Sequence, residues 1–180
     1  MEIINVKYSI HHYQLWDNGV FPNSHLDVLV YKNVLDLPLL FAPKAIKNLF
    51  ERNNWRNSWK DGVYTYHHYH SITHEVLGVY EGKSIIEFGG ETGVKVEIEK
   101  GDVVIIPAGV AHKNMGEKDQ VKCVGAYPEG RDYDMNYGKP SERIKADENI
   151  KKLPVPALDP VFGSHGELQR YWKSKNNIYA

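Results

Sequence analysis

From residue 62 the chain becomes a succession of short β-branched and aromatic runs broken by glycine: "VYTYHHYH", "EVLGVYEG", "SIIEFGG", "VKVEIEKG", "DVVIIPAG", "AHKNMG" and "VKCVGAY". Six or seven such strands at regular spacing predict an antiparallel barrel or sandwich, an all-β fold. Ahead of them, "LDVLVYK" (26–32) has strand composition, and "FAPKAIKNLFERNNW" (41–55) predicts a helix. Pro43 suits its first turn, and Ile46, Leu49 and Phe50 fall at i, i+3, i+4 as one apolar stripe. Residues 1–24 are polar and aromatic and end in the turn-like "DNGVFPNS". After Tyr127 the strand pattern dissolves into "PEGRDYDMNYGKPSER", a charged stretch and the proline-bearing "LPVPALDPVFG". The expectation is a single domain over 1–180: an N-terminal arm, strand and helix (1–61), the barrel (62–127), and a C-terminal arm (128–180) wrapping it. That arm is expected to finish in a short helix around "GELQRYW", and it has too few apolar residues for a second core.

Charge narrows the classes of partner. The formal net charge of the 180 residues is −1, with no basic stripe or acidic tail, so neither nucleic acid nor an anionic membrane surface is expected as a partner. The opening "MEIINVKYSIHHY" has neither a basic nor an apolar leader region, and no apolar run approaches the roughly 18 residues of a membrane span. Cys123 is the single cysteine. It sits in a strand-like run and is expected to be a small buried thiol in a cytoplasmic protein.

Four of the nine histidines fall in "HHYHSITHE" (67–75). In a strand over 63–70, alternation sets Tyr64, Tyr66, His68 and His70 on one face and Val63, Thr65, His67 and Tyr69 on the other. Imidazoles at i and i+2 stand side by side, close enough to share one ion. A solvated histidine face is the plainer alternative. "HSITH" also spaces two histidines at i, i+4, but the glutamate of the zinc-peptidase pattern is absent and the residues around it disfavour helix. A straight strand would keep His74 on the His68/His70 face. A turn between Ser71 and His74, with a new strand from Glu75, would aim Glu75, Leu77 and Val79 inward instead. Periodicity alone leaves His74 and Glu75 open.

"GVYTYHHYHSITHEVLGVYEG" (62–82) matches G-x5-H-x-H-x4-E-x6-G at Gly62, His68, His70, Glu75 and Gly82, and "GDVVIIPAGVAH" (101–112) matches G-x5-P-x-G-x2-H at Gly101, Pro107, Gly109 and His112. In these two motifs, about a third of its length, the chain resembles the cupin superfamily. The second motif departs at its end, where Gly116 stands in place of the usual asparagine and Asn114 lies nearby. The flanks "DNGVFPNSHLDVLVY" and "YPEGRDYD" resemble the YjlB-type branch of bacterial cupins. The resemblance implies a double-stranded β-barrel of the RmlC-like jelly-roll type, commonly a homodimer, in which His68, His70, Glu75 and His112 converge on one divalent metal. It thereby favours Glu75 over His74 as the fourth ligand.

Three imidazoles and one carboxylate suit Fe, Mn, Ni, Co, Cu or Zn and leave positions open for water or substrate. The expected function is a metalloenzyme, oxygenase- or isomerase-like, acting on a small organic substrate. Glu75 or His74 would move the proton, and Tyr64 and Tyr66 would line the substrate pocket. The alternative is a non-catalytic module that binds a small molecule or a structural metal. His67 is expected to point away, and His11, His12, His25 and His165 to be surface or packing residues. Arg131 is expected in a solvated loop, and "FGGETG" (88–93) in a hairpin turn.

Overall fold

The computed structural model describes residues 3–179, with side chains described through Lys175. Eight strands run in chain order: β1 Ser9–Leu15, β2 Ser24–Lys32, β3 Trp55–Gly62, β4 Glu75–Phe88, β5 Val94–Glu99, β6 Val103–Ile106, β7 His112–Asn114 and β8 Val121–Pro128. Three α-helices accompany them: α1 Ala42–Arg52, α2 Arg143–Lys152 and α3 Glu167–Tyr179. The main sheet has the order β1-β2-β6-β4-β8-β3, antiparallel throughout, and ends at edge strands rather than closing on itself.

β4 belongs to two sheets. Its first half pairs with β6 and β8, and its second half, from Lys83, pairs with β5 and β7. Two expected strands, "EVLGVYEG" and "SIIEFGG", are therefore one strand of 14 residues that turns the corner at Gly82. There φ is +75°, and a Cβ would stand 2.1 Å from the Gln120 carbonyl oxygen, so only glycine makes the bend. The two sheets pack face to face over Val28, Val30, Leu77, Val79, Ile86, Phe88, Ile98, Val104, Ile106 and Cys123. This is the jelly-roll arrangement of a double-stranded β-barrel. Cys123 is buried, and burial pushes its thiol well above the usual range.

The other face of the main sheet is buried as well. Leu29, Tyr31, Val76, Val103, Ile105 and Val124 meet Ile46, Leu49 and Phe50 of α1 and Leu168 and Trp172 of α3. With cover on both sides, β6 reads as the unbroken apolar run "VVII". Each apolar side chain buried from α1 stabilises by about 1.5–3 kcal/mol.

Several elements differ from expectation. α1 stops at Arg52, and Asn54 in a left-handed conformation (φ 62°) leads into β3 at Trp55, whose polar "WRNSWKDG" carries little strand signal. β1 is likewise polar on its exposed face. Residues 63–74 form no named strand, and only His68 and Tyr69 make isolated bridges, to His112 and Asn136. The charged stretch of the C-terminal segment is α2, whose only buried residue is Ala146. The segment "FGGETG" is the β4–β5 hairpin turn, with Gly89 and Gly90 at positive φ. No helix among the described residues is long and apolar enough to cross a membrane.

Candidate metal centre

Glu75 opens β4, and its alternation with Leu77 and Val79 aims it between the sheets, where those two residues belong to the apolar core. His112 opens β7 opposite Phe88. His68 exchanges both backbone hydrogen bonds with His112, N to O at 3.2 and 3.0 Å, which sets the two rings 4.2 Å apart. His70 lies two residues on, just before the bend at Ser71–Ile72 that interrupts the path into β4. All four side chains are buried. The ligand-capable nitrogens of His68, His70 and His112 lie within 4.8 Å of one another, and Glu75 Oε2 stands 3.4 Å from Nε2 of both His70 and His112.

Each imidazole is oriented by a backbone carbonyl at its far nitrogen. Nδ1 of His68 faces Tyr66 O at 3.2 Å, Nδ1 of His70 faces Asp134 O at 2.5 Å, and Nδ1 of His112 faces Val110 O at 3.1 Å. A carbonyl only accepts, so Nδ1 carries the proton and donates in all three. Nε2 of each ring is thereby turned toward its neighbours, and it is a lone pair whenever the ring is neutral. This is how proteins prepare histidines for a metal. Two ligand atoms about 2.1 Å from one ion lie roughly 3.0–3.4 Å apart at angles between 90° and tetrahedral, so the 3.4 Å carboxylate–imidazole separations fit a shared ion.

The electrostatics favour a cation. Burial would push the Glu75 carboxyl up, but the imidazoles of His70 and His112 outweigh it and hold the group well below the usual carboxylate range. Burial pushes His68 down to about 3, helped by His112. For His70 burial also acts downward, and the Glu75 carboxylate overcomes it and raises the group. His68 is thus neutral near pH 7, while Glu75 is a buried anion.

Sequence reasoning missed the groups that hold this set in place. Tyr127 on β8 donates to Glu75 Oε1 at 3.3 Å and receives Trp59 Nε1 at 2.9 Å. The Trp59 indole lies where a Cβ on Gly125 would come within 2.1 Å of it, so that glycine makes its place. The signal was the alternation Val121, Cys123, Gly125, Tyr127, which points one face of β8 inward. Asp134 had no signal. Its carboxylate accepts from Ser71 N at 2.7 Å, Ser71 Oγ at 2.5 Å, Ile72 N at 3.3 Å and Asn136 Nδ2 at 2.8 Å. Burial raises this carboxyl, and the bonds from Ser71 and Asn136 lower it further than burial lifts it. One residue therefore clamps the bend after His70 with its side chain and orients the His70 ring with its carbonyl. Asp134→Ala is expected to weaken metal affinity about 10–100-fold, with Asp134→Asn closer to wild type. Competition titration against a chelator measures both.

His74 is not brought to the cluster. Its Nδ1 accepts from Ala108 N at 3.0 Å, its Nε2 faces Pro154 O at 3.3 Å, and its ring packs 4.9 Å from Trp172. The turn that aims Glu75 inward sends its neighbour to the opposite face, where His74 ties the Pro107–Gly109 loop to the C-terminal segment. Burial pushes it down to about 4. The unfolded imidazole takes up a proton below about 6.5 and the folded one only near 4, so the unfolded state binds more protons in that window. Stability therefore falls with decreasing pH, by about 3 kcal/mol on reaching pH 4. Urea unfolding at stepped pH should show that loss, with a flatter curve for His74→Gln.

Tyr64 lines the cavity at the histidines, with Leu77, Tyr127, Tyr133 and Met135 among its other walls; its volume is about 280 Å3. Tyr66 does not line it. The bend at Thr65–Tyr66 carries Tyr66 behind Tyr64 to an outer groove shared with His67 and Tyr137. His67 points away, its Nε2 3.0 Å from buried Glu87. His12 pairs with Asp27 at 3.0 Å, and Arg131 with Glu129 at 3.3 Å outside the cavity. Asn114 takes up the structural work at the end of the second motif: its Oδ1 accepts from Ser84 Oγ at 2.6 Å and from Gly116 N at 2.9 Å.

The jelly roll, with three carbonyl-oriented histidines and one glutamate between its sheets, defines a cupin. No protein-family profile matches the chain. It is 43% identical over 158 residues to the uncharacterised protein YjlB of Bacillus subtilis (strain 168), covering 87% of this chain and 92% of that protein, and it belongs to the YjlB family of cupins. Among solved structures it is similar to an acireductone dioxygenase from Bacillus anthracis with a cadmium ion in its active centre (TM-score 0.38, 18% identity, 52% of this chain). The chain spans 63% of that protein, less than two thirds. It is also similar to the epimerase RmlC from Legionella pneumophila in complex with dTDP-4-keto-L-rhamnose (TM-score 0.37, 11% identity, 69% of this chain and 74% of that one). The cadmium and the sugar nucleotide are properties of those two proteins.

Proposed function

We propose that this cupin is a metalloenzyme, oxygenase- or isomerase-like, that acts on a small organic substrate at a divalent transition metal held by His68, His70, Glu75 and His112. The supporting observation is the shared orientation of the three imidazoles: every Nδ1 is committed to a backbone carbonyl, so every Nε2 is turned toward one centre. A bound ion would supply Lewis-acid polarisation of a substrate oxygen, or a redox partner. The remaining work falls to the chain itself. Tyr127 holds Glu75 Oε1, which leaves Oε2 directed at the histidines. The phenol oxygen accepts from Trp59 Nε1, and burial and the Glu75 charge push the phenol well above its usual range, so Tyr127 stays protonated as the donor that positions Glu75. Leu77, Val63 and Met135 line the same cavity and limit water around the reacting atoms.

The test is elemental analysis of protein purified without a metal-affinity tag, alongside Glu75→Gln. Near-stoichiometric metal in the wild type and at least a tenfold weaker hold in the variant are expected. Wild-type protein that takes up no transition metal, even when supplied with one, overturns the reading. A ligand-dependent change in the metal spectrum without turnover would instead identify a binding module.

A further inference from the structure

The loop from β2 into α1 carries "DLPLLFAPK" (36–44). Among the described residues, Leu39, Leu40 and Phe41 are the only three consecutive large apolar side chains that are exposed, at 97%, 73% and 77%. Soluble surfaces scatter such side chains singly, and a contiguous run marks a contact. Phe41 is also the N-cap of α1, a position where serine, threonine, asparagine or aspartate would bond the free backbone N–H groups. It makes no side-chain cap bond, and its backbone sits at φ 65°, ψ 23°, a left-handed conformation that a bulky residue seldom adopts. The helix therefore starts on a strained residue whose ring is left in solvent.

Beside that ring lies a groove of about 250 Å3 on the exposed side of α1. Its apolar lining includes Ile3, Pro38, Phe41 and Leu49, and its charged groups are Lys44 and Arg52. An apolar cavity of about 150 Å3 holds a benzene ring, so the groove admits one large side chain. No carboxylate lines it among the described residues. Lys47 on the same helix is paired with Glu51 at 3.7 Å, whereas Lys44 and Arg52 have no ion pair among the described residues. Eight residues of helix set those two cations roughly 12 Å apart along the axis, a span that an extended strand covers in about four residues.

We propose that this groove docks an acidic, apolar peptide segment of another protein. A large apolar side chain enters beside Phe41, and carboxylates on either side of it pair with Lys44 and Arg52. Charge complementarity selects this occupant. A second copy of the chain meeting the patch across a two-fold axis would set Lys44 and Arg52 against the same cations. A flat bilayer would leave the groove unfilled. The groove lies on α1, on the face of the main sheet opposite the histidines, so docking there is separate from the metal-site reading.

The experiment selects random nine-residue peptides displayed on phage against the full chain, then titrates a synthetic peptide of the consensus by fluorescence anisotropy. The expected consensus is one large apolar residue with aspartate or glutamate on both sides. Its peptide is expected to bind about tenfold more weakly to Phe41→Asn and to the double variant Lys44→Glu/Arg52→Glu. The double variant is expected to select lysine or arginine in place of the acidic residues. Asparagine both caps helices and tolerates the left-handed conformation, so Phe41→Asn should melt no lower than wild type, which separates lost docking from lost folding. No shared pattern, a pattern without carboxylates, or a consensus peptide that binds all three proteins alike would overturn the proposal. Without that consensus, binding to phosphatidylglycerol vesicles that Phe41→Asn abolishes would identify a lipid surface instead. Dimerisation abolished by the same variant would identify a second copy.

Discussion

His112→Ala is expected to lower metal affinity by two to three powers of ten. Metal binding at a four-ligand protein site is worth roughly 10–16 kcal/mol in all, so one ligand accounts for about 2.5–4 kcal/mol. His112 should lie at the upper end of that range. Its Nε2 stands 3.4 Å from Glu75 Oε2, its ring is 4.2 Å from His68, and only 2% of the residue is exposed. Water fills such a position poorly. Calorimetric titration of metal into the stripped variant measures the loss, and circular dichroism checks that the β structure persists. An affinity within threefold of wild type would remove His112 from the ligand set.

Trp172→Ala is expected to destabilise the protein by about 3–5 kcal/mol through the cavity it leaves. Trp172 is fully buried among Leu29, Tyr31 and Leu168, packs at a tilt against His74, and donates Nε1 to Asp27 O at 2.9 Å. That carbonyl would be left without its indole partner, adding to the cost. For a chain of this size the melting temperature should fall by about 10 °C. Metal affinity should change less than threefold, because α3 covers the face of the main sheet opposite the histidines. A loss below about 1 kcal/mol in urea unfolding would show that α3 contributes little to this core.

How legible the molecule is from its sequence varies with the range of the interaction. The β-rich centre is legible because strand residues announce themselves locally, through β-branched and aromatic runs cut by glycine. α1 is legible because Ile46, Leu49 and Phe50 repeat at helical spacing. β1 and β3 are not, since each is a polar strand whose partner lies elsewhere in the chain: β2 for β1, and β8 for β3. α2 has almost no apolar stripe, and nothing in its charge pattern separates it from a solvated loop.

The candidate site divides in the same way. The spacing His68, His70, Glu75 and His112 states which groups are available, and the turn expected between Ser71 and His74 is where the chain bends. Local alternation could not decide between His74 and Glu75, because one residue of register exchanges the faces of a strand. Folding settled their positions: Glu75 enters the space between the sheets, and His74 meets Trp172 from α3, nearly 100 residues away. Tyr127, Trp59 and Asp134 were invisible as partners of the site. Their roles rest on hydrogen bonds spanning 52, 68 and 63 residues, and no local pattern encodes contacts of that range.

By itself, then, the sequence determined the strand-rich composition, the glycine at the corner of β4 and the donor set for an ion, since these depend on residue type and near neighbours. Only the tertiary structure decided which nitrogen of each imidazole faces the centre, whether His74 or Glu75 lies beside it and which rings wall it. Each of those depends on where a distant backbone carbonyl, indole or sheet face comes to rest.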